Sequence, residues 1–343
     1  MHLHIQLDVI YLAVEYTIIF FIFTQHQLAG ADVILLPALR QYLTVSGKLT
    51  DTLYQTNHMN QFGGDWTENK IEIIVEYAKA YLNIMNIYAT KYSWKLLYFD
   101  GFAGSGYIKK GKKENQKLIV GAAKRVLEIE EPRPFDLFYF VEKDIENANN
   151  LRESTELQFP EKNIHIVNTD CNEKIKSMSE FLASPKGKKY KALAYIDPCG
   201  MQLNWNSLET LQKLSVDVWI LVPTGMGVNR LLKNDSNISD AWVSKLETFL
   251  GMDKEEILKY FYKEKVSHTL FGEETTTSKE DKAIEKSAVL YKERLAKLFS
   301  FVSDPYVLKN KSNSIMFHFF MASNNKSAVK IANEIIKKYN KIN

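Results

Sequence analysis

The chain has 343 residues, of which 45% are hydrophobic and 12% aromatic, enough for one large domain or two small ones around an apolar core. Its formal net charge of +3 is too balanced for the whole surface to attract nucleic acid or anionic membranes, so any basic site must be local. The only two cysteines, Cys171 and Cys199, form no CxxC pair, which argues against a disulfide framework, a structural zinc and an iron–sulfur cluster. This composition predicts a reduced, cytoplasmic protein without a metal site.

The first 58 residues differ from the rest of the chain. They contain a nearly apolar run, Val9 to Phe23, of 15 residues that includes Glu15. The run is shorter than the roughly 20 residues that cross a bilayer, and it lacks the basic start of a signal peptide. A membrane anchor is therefore weakly supported. The alternatives are an extra buried helix or an extension translated from a wrongly chosen start. We favour the extension, with Met59 as the natural first residue and residues 59–343 as the folded domain.

The segment that follows predicts a helix, a strand and a second helix. Asp65 and Glu68 are spaced as an N-cap and its reciprocal partner, and apolar residues then recur at helical spacing. The short apolar strand KLLYF, residues 95–99, comes next. A glycine-rich turn, a lysine-rich loop and a helix beginning near Gly121 complete the unit.

The central part of the chain alternates between apolar runs and amphipathic stretches. The runs are FDLFYFV, NIHIVN, ALAYI and VDVWILV. Continuous apolar strands alternating with helices predict an α/β fold with a mostly parallel sheet and helices on both faces. Residues 231–300 are charged and mostly helical in pattern, which predicts a helical insertion at about 231–300. The runs YVLK and SIMFHFFMA then predict a C-terminal β-hairpin.

Four of the predicted strands end in an acidic residue, and the ligand of an open α/β sheet lies beyond the carboxyl ends of its strands. These residues are Asp100 in YFDGFAGSG, Glu142 in YFVEKD, Asp170 in VNTDCN and Asp197 in YIDPCG. One such acid is weak evidence, because Asp is also a good helix N-cap or turn residue. Four in successive strands predict a ligand site.

The turn after the first strand indicates which cofactor fits. It contains neither GxGxxG nor a P-loop, which disfavours a dinucleotide oxidoreductase. Asp100 would repel a phosphate but suits a cation, such as the amino acid end of S-adenosylmethionine. Glu142 is placed to accept hydrogen bonds from a ribose diol, and Asp170 to take an adenine amino group, either directly or through a backbone neighbour. We therefore predict that both acids bind cofactor together with the turn residues Asp100, Gly101, Phe102, Gly104 and Gly106.

These motifs resemble those of a known family. FDGFAGSG, FVEKD, NTDCN and YIDPCG resemble the first four motifs of Rossmann-type S-adenosylmethionine-dependent methyltransferases. DWTENK, YFDGFAGSG, the Gly121 helix, YIDPCGMQLNW and LVPTGMGVNRLL together resemble the three-Cys-motif partner family, over about residues 59–343. The resemblance implies a Rossmann-like methyltransferase fold and a role in methyl transfer or cofactor binding. It also implies a partner, a cysteine-motif protein of the iron–sulfur or radical type.

The fourth motif, Asp197-Pro198-Cys199-Gly200, limits the enzymatic interpretation. In methyltransferases that act on base amines, an Asp/Asn-Pro-Pro-aromatic turn presents an oxygen and a stacking ring to a flipped base. Here Cys199 replaces the second proline and Gly200 the ring, and the three-Cys-motif partner pattern has an aromatic residue at the position of Cys199. We assign catalysis to Asp197, Pro198 and Cys199. Cys199 as a covalent nucleophile is a minor alternative to a small buried hydrophobe.

Four further residues are candidates for substrate binding. Trp66 and Lys70 lie one helical turn apart and could present a ring and a cation to one cleft. Asn229 and Arg230 follow the strand VDVWILV, where Arg230 could reach an anionic substrate or simply form a surface salt bridge. The loop 108–117, with five lysines, could guide a nucleic-acid backbone or be a solvated face.

The leading functional prediction is an S-adenosylmethionine-dependent methyltransferase that acts on a nitrogen of a nucleic acid. Asp197 would orient or deprotonate the acceptor, and catalysis would rest mainly on proximity. The alternative is a non-catalytic, methyltransferase-like domain that contacts a cysteine-motif protein. Cys199 and Gly200 favour this alternative, whereas the four strand-end acids argue against it. We expect no membrane association, and the methyl acceptor and the oligomeric state stay open.

Overall fold

A computed structural model describes residues 65–110, 117–234, 236–269 and 272–341. The predictions for residues 1–58 therefore lie outside the described residues. The strands are β1 (Lys95–Asp100), β2 (Tyr107–Lys110), β3 (Lys117–Val120), β4 (Leu137–Glu142), β5 (Ile164–Asn168), β6 (Tyr190–Ile196), β7 (Val216–Val222), β8 (Tyr262–Thr269), β9 (Gly272–Lys279), β10 (Phe301–Val302), β11 (Tyr306–Lys309) and β12 (Ile315–Ser323). The α-helices are α1 (Asp65–Tyr92), α2 (Ala122–Leu127), α3 (Ile145–Gln158), α4 (Cys171–Ala183), α5 (Trp205–Glu209), α6 (Asn229–Leu231), α7 (Asp240–Leu250), α8 (Lys254–Phe261), α9 (Ala283–Leu298) and α10 (Lys326–Asn340).

The main sheet has the strand order β10-β12-β7-β6-β1-β4-β5, with β11 paired to β12. Strands β5, β4, β1, β6 and β7 are parallel to their neighbours, and β12 is antiparallel to β7. The order reverses at β1, which is the arrangement of a doubly wound, Rossmann-like sheet. The predicted α/β fold with a mostly parallel sheet is confirmed. The predicted C-terminal hairpin is also confirmed, as β11 and β12.

Both faces of the sheet are covered, because side chains alternate between two apolar clusters along each strand. In β1, Leu97 and Phe99 join the cluster that packs against α4, α5, α7 and α9. Leu96 and Tyr98 join the other cluster, which packs against α1, α2, α3 and α10. A strand that is buried on both faces needs an uninterrupted apolar run. This explains why these strands could be predicted from the sequence.

Two segments differ from the prediction. The lysine-rich stretch 108–117 was predicted as a loop, but its ends lie in β2 and β3, which pair antiparallel. The predicted helical insertion at about 231–300 contains α7, α8 and α9, and also the antiparallel hairpin β8–β9. Its strands YKEKVSHT and GEETTTSK have no apolar face, so hydrophobic periodicity gave no signal for them. Among the described residues, no helix combines the length and apolar character needed to cross a bilayer.

A partly buried carboxylate, Asp217, joins three elements near the amino end of β7. It lies in β7 and accepts hydrogen bonds from the hydroxyls of Tyr77 in α1, at 2.8 Å, and Ser323 at the end of β12, at 2.5 Å. Burial raises its pKa to about 6, although the two hydroxyls oppose the shift. The ordinary pKa of an aspartate is about 3.9, so the folded state binds more protons than the unfolded state between about pH 4 and pH 6.

We therefore expect Asp217 to reduce stability as the pH rises through this window. We compare the free energy of unfolding of the wild type with that of Asp217→Asn. The wild-type value minus the variant value should fall by about 1–2 kcal/mol between pH 4 and pH 7, allowing for partial solvent contact. Urea unfolding of both proteins across this range measures the difference. Burial lowers the pKa of His318 to about 4, which acts in the opposite direction but cancels in the comparison. A constant difference across the range would contradict the prediction.

Candidate functional site

A cleft of about 690 Å³ lies beyond the carboxyl ends of the parallel strands. The wall on the β1, β4 and β5 side includes Gly101, Phe102, Glu142 and Asp170. The residues on the other side come from α1, the segment after β6, β7 and the turn that follows it, and the start of β12. They are Thr67, Lys70, Asp197, Pro198, Cys199, Leu221, Met226, Met316 and Phe317. We call these two parts the cofactor half and the acceptor half of the cleft, after the roles that the sequence analysis predicts for them.

Backbone hydrogen bonds to both neighbouring strands fix the turn after β1. The Gly101 N–H donates to the Tyr195 carbonyl of β6 at 2.9 Å, and the Ala103 N–H donates to the Val141 carbonyl of β4 at 3.0 Å. Gly104 has a φ of +64°, a conformation that favours glycine. At Gly101 a β-carbon would collide with the Sγ of Cys171, the first residue of α4. The sequence therefore needs glycine here so that the turn can approach α4.

Asp100 is buried beneath this turn with 1% of its surface exposed. Its Oδ1 accepts a hydrogen bond from the Phe102 N–H at 3.1 Å. Burial raises its pKa well above the ordinary range, and the nearby carboxylates of Asp197 and Glu142 add to the shift. Asp100 is not among the residues that line the cleft, so in this structure it supports the turn from below.

Glu142 connects the turn to β4. Its Oε2 accepts from the Gly104 N–H and its Oε1 from the Asp144 N–H, both at 2.8 Å. Burial raises its pKa, although these backbone donors oppose the shift. The Lys143 N–H is a third backbone donor to this side chain. A carboxylate has about four lone-pair positions, so about one remains for a hydroxyl group in the cleft.

Asp170 is the N-cap of α4. Its Oδ1 accepts from the backbone N–H and the side-chain amide of Asn172, both at 2.9 Å, and its Oδ2 contacts Lys143 Nζ at 3.0 Å. Burial opposes ionisation, but these donors outweigh it and lower the pKa of Asp170. About one acceptor position remains toward the cleft. The Asp170 side chain can therefore accept at most about one more hydrogen bond, which limits the predicted contact with an adenine amino group.

The structure brings together two residues that the sequence analysis treated separately, Lys70 and Asp197. Lys70 Nζ lies 2.7 Å from Oδ1 and 2.6 Å from Oδ2 of Asp197. The Tyr195 hydroxyl also donates to Oδ2, at 2.8 Å. The lysine side chain is 7% exposed and the aspartate 20% exposed. Three of about four acceptor positions of Asp197 are therefore occupied, which leaves one for a substrate donor.

The remaining predicted site residues have different positions. Pro198 and Cys199 line the acceptor half. Cys199 is exposed, so the expectation of a small buried hydrophobe was wrong. Partial desolvation of its thiol still raises the pKa, and the Asp197 carboxylate adds to the shift, which disfavours the thiolate that nucleophilic catalysis would need. The structure does not bring Asn229 or Arg230 to the cleft wall. Asn229 Oδ1 instead accepts from Lys279 Nζ at 3.2 Å, and Arg230 is exposed on α6. The side chain of Trp66 lies outside the described residues.

Sequence reasoning missed several residues of the site. Asn172 joins α4 to the segment after β6, because its amide donates to the Gln202 carbonyl at 2.8 Å and its Oδ1 accepts from the Asn204 N–H at 2.7 Å. Phe317 adds an aromatic side chain to the acceptor half. Three exposed lysines, Lys143, Lys176 and Lys245, also contribute to the cleft lining.

No protein-family model matches the sequence, so membership in the three-Cys-motif partner family is not confirmed. No curated protein matches it either. Several solved structures are similar in fold. LPL1258 from Legionella pneumophila is 14% identical, covers 77% of this chain and 91% of its own, and has a TM-score of 0.37. Trm1 from Pyrococcus horikoshii, solved with S-adenosyl-L-methionine, is 14% identical, with 77% and 65% coverage and a TM-score of 0.33.

A third similar structure is the DszA carbon methyltransferase, which is 10% identical, with 81% and 57% coverage and a TM-score of 0.38. This chain spans less than two thirds of the length of Trm1 and of DszA. TM-scores this low carry no information about activity. The geometry of the cleft must therefore support any functional conclusion.

Proposed function

We propose that the chain is an S-adenosylmethionine-dependent methyltransferase that transfers a methyl group to a nitrogen of a nucleic acid. The observation that carries the proposal is the division of one cleft into two chemically different halves. Glu142 retains about one acceptor position in the cofactor half, and Asp197 retains one in the acceptor half. A volume of about 690 Å³ is within the range of small-molecule sites.

The cofactor half fits S-adenosylmethionine on grounds of chemistry. The remaining acceptor position of Glu142 suits a hydroxyl of a ribose diol. The backbone of the turn lies so close to α4 that a β-carbon at Gly101 would not fit. Bound there, the cofactor would supply an electrophilic methyl group on a sulfonium, which needs no metal for transfer.

Asp197 would orient the acceptor. Its one remaining lone-pair position can accept an N–H of an amine, so that the nitrogen lone pair is directed toward the cofactor half. The bond from nitrogen to the methyl carbon forms as the carbon–sulfur bond breaks, and the nitrogen then loses its proton to solvent. Phe317 also borders the acceptor half, but it is 3% exposed and packs in the apolar core, so it offers little surface for a stacking contact. Lys176 and Lys245 place positive charge on the cleft lining, which supports a polyanionic substrate, whereas Lys143 is already paired with Asp170.

The first test is isothermal titration of the full chain with S-adenosylmethionine and its demethylated product, with NADH as a control. We expect saturable binding of the product, and a loss of affinity of at least about tenfold in Glu142→Ala, because a charge-assisted hydrogen bond to the ribose would be lost. Glu153→Ala removes an exposed acid of α3 outside the cleft and is the matched control. Unchanged affinity in Glu142→Ala would remove this residue from the site.

Methyl transfer itself requires an acceptor screen with a radiolabelled methyl donor over RNA, DNA and protein. Incorporation into a nucleic acid supports the proposal. Binding of the cofactor without transfer to any of them would favour the alternative function, a methyltransferase-like partner of a cysteine-motif protein. The observation behind this alternative is the Asp197-Pro198-Cys199-Gly200 turn, which lacks an aromatic residue.

A further inference from the structure

Three aromatic rings form a cluster at the end of α1 and the start of β1. The ring centroids of Tyr88 and Tyr92 are 6.5 Å apart with an angle of 5° between the planes. Trp94 stacks on Tyr92 at 5.1 Å and on Tyr88 at 6.4 Å. We call these three residues the aromatic surface. It lies at the amino end of β1, whereas the cleft lies beyond the carboxyl end.

The aromatic surface is open to solvent. Tyr88 is 45% exposed and Tyr92 is 49% exposed, unlike the tyrosines of the core, such as Tyr77 and Tyr98, which are nearly inaccessible. Trp94 is half-buried and packs against the apolar core. Burial therefore accounts for Trp94 but not for the two exposed tyrosines stacked on it. The ordered stacking also leaves each exposed ring with little conformational freedom to lose when a ligand binds.

Lysines surround the aromatic surface. Lys91 Nζ lies 5.2 Å from the centroid of the Tyr92 ring, and Lys191 Nζ lies 4.5 Å from that of Trp94. In the sheet, Lys95 of β1 is directly opposite Tyr190 of β6. The segment that leads into β6, residues 185–191, reads PKGKKYK and contains no acidic residue.

Three lysines of this segment, Lys186, Lys188 and Lys189, are exposed. We call them the basic loop. Because Lys189 directly precedes Tyr190, the loop lies beside the start of β1, next to the aromatic surface. Asp136 lies 3.1 Å from Lys95 Nζ and offsets part of this charge. Positive charge thus adjoins exposed rings on one end of the molecule.

We propose that the aromatic surface and the basic loop bind single-stranded nucleic acid. Every base has a flat face that can stack on an exposed ring, and lysines can neutralise the phosphates between successive bases. A duplex would keep its bases stacked on one another and hide those faces. An exposed protein-docking patch would be expected to carry fewer lysines, since lysine is depleted in protein interfaces.

Helix α1 connects this surface to the cleft. Lys70 in the cleft wall and Tyr92 in the aromatic surface are 22 residues apart in α1, about 33 Å along the helix axis. A single nucleotide could not reach both places, but a polymer of several nucleotides could. The surface would therefore favour long substrates over short ones. This inference extends the proposed nucleic-acid substrate, but binding at the surface does not depend on methyl transfer.

The test measures the fluorescence anisotropy of labelled 20-nucleotide RNA and DNA single strands, titrated with the full chain. We expect Tyr92→Ala to weaken binding at least about fivefold, because one stacking contact is lost. The double variant Lys188→Ala/Lys189→Ala should make the slope of log affinity against log salt shallower by about 1.4. Trp242→Ala is the control for ring removal, because Trp242 of α7 is 38% exposed and also has a lysine over its ring. Lys259→Ala, on α8, is the control for charge.

Failure of this inference and failure of the proposed function give different results. Strand binding that depends on Tyr92, without methyl transfer, supports the surface and contradicts the function. Methyl transfer with strand affinity unchanged in both surface variants overturns the surface and retains the function. Ile87→Asp changes an exposed apolar residue of the same helix. The proposal is also overturned if this variant changes the molecular mass in solution and Tyr92→Ala leaves strand binding unchanged. That result would assign the region to a protein interface.

Discussion

Asp197→Asn is expected to lower the rate of methyl transfer by about 10² to 10³ while the affinity for S-adenosylmethionine stays within about threefold. The size of the effect follows from losing the orientation of the acceptor, since a displacement of about 1 Å can reduce a rate about a hundredfold. Asparagine keeps one side-chain oxygen, which can still accept a hydrogen bond from Lys70. Its side-chain nitrogen is a donor and therefore cannot accept the N–H of the methyl acceptor. Single-turnover transfer and titration of the cofactor separate the two effects.

A matched control for this change exists elsewhere in the chain. Asp304 forms an exposed ion pair with Lys292 at 2.8 Å, and Asp304→Asn removes the same charge far from the cleft wall. We expect normal transfer in that variant. If Asp197→Asn transfers at the wild-type rate, Asp197 has no part in the reaction. If it instead loses cofactor affinity, Asp197 belongs to the cofactor half.

The sequence predicted the sheet and the edge on which the site lies, because both follow from local patterns. A strand covered on two faces is an uninterrupted apolar run, and the carboxyl ends of parallel strands meet at one edge. Asp100, Glu142, Asp170 and Asp197 could therefore be placed together without a structure. The hairpin β8–β9 could not be predicted, because its strands are polar and have no apolar side to mark them.

The roles of the individual acids depend on contacts that local patterns do not contain. Lys70 and Asp197 are 127 residues apart in the chain, so only the packing of α1 against the sheet reveals their ion pair. Tyr195 is different. It lies two residues before Asp197 in an extended segment, which places both side chains on the same side of the strand, so alternation offered a signal for this contact. Asn229 was predicted for the cleft from its place after β7, but the chain between β7 and α6 takes a π-helical turn at Thr224–Val228.

The ion pair between Lys70 and Asp197 should also contribute to stability, which a double-mutant cycle measures. Lys70→Met leaves a carboxylate that is 20% exposed without this partner, and we expect it to lower the free energy of unfolding by about 2–4 kcal/mol. Adding Asp197→Asn to the Lys70→Met variant removes the carboxylate charge that Lys70→Met had left without its lysine. The double variant Lys70→Met/Asp197→Asn should therefore be more stable than the sum of the single changes predicts, by about 1–3 kcal/mol.

The exposed pair Lys292–Asp304 provides the reference for this cycle. Its lysine side chain is 37% exposed and its aspartate 77% exposed, so water screens the interaction, and we expect a coupling energy below about 0.5 kcal/mol. Urea unfolding at pH 7.5 gives both coupling energies. A coupling for Lys70 and Asp197 as small as that of the exposed pair would mean that the contact does not hold the carboxylate in place. Orientation of the acceptor by Asp197 would then have no rigid support, and the assignment of this residue in the proposed mechanism would have to be abandoned.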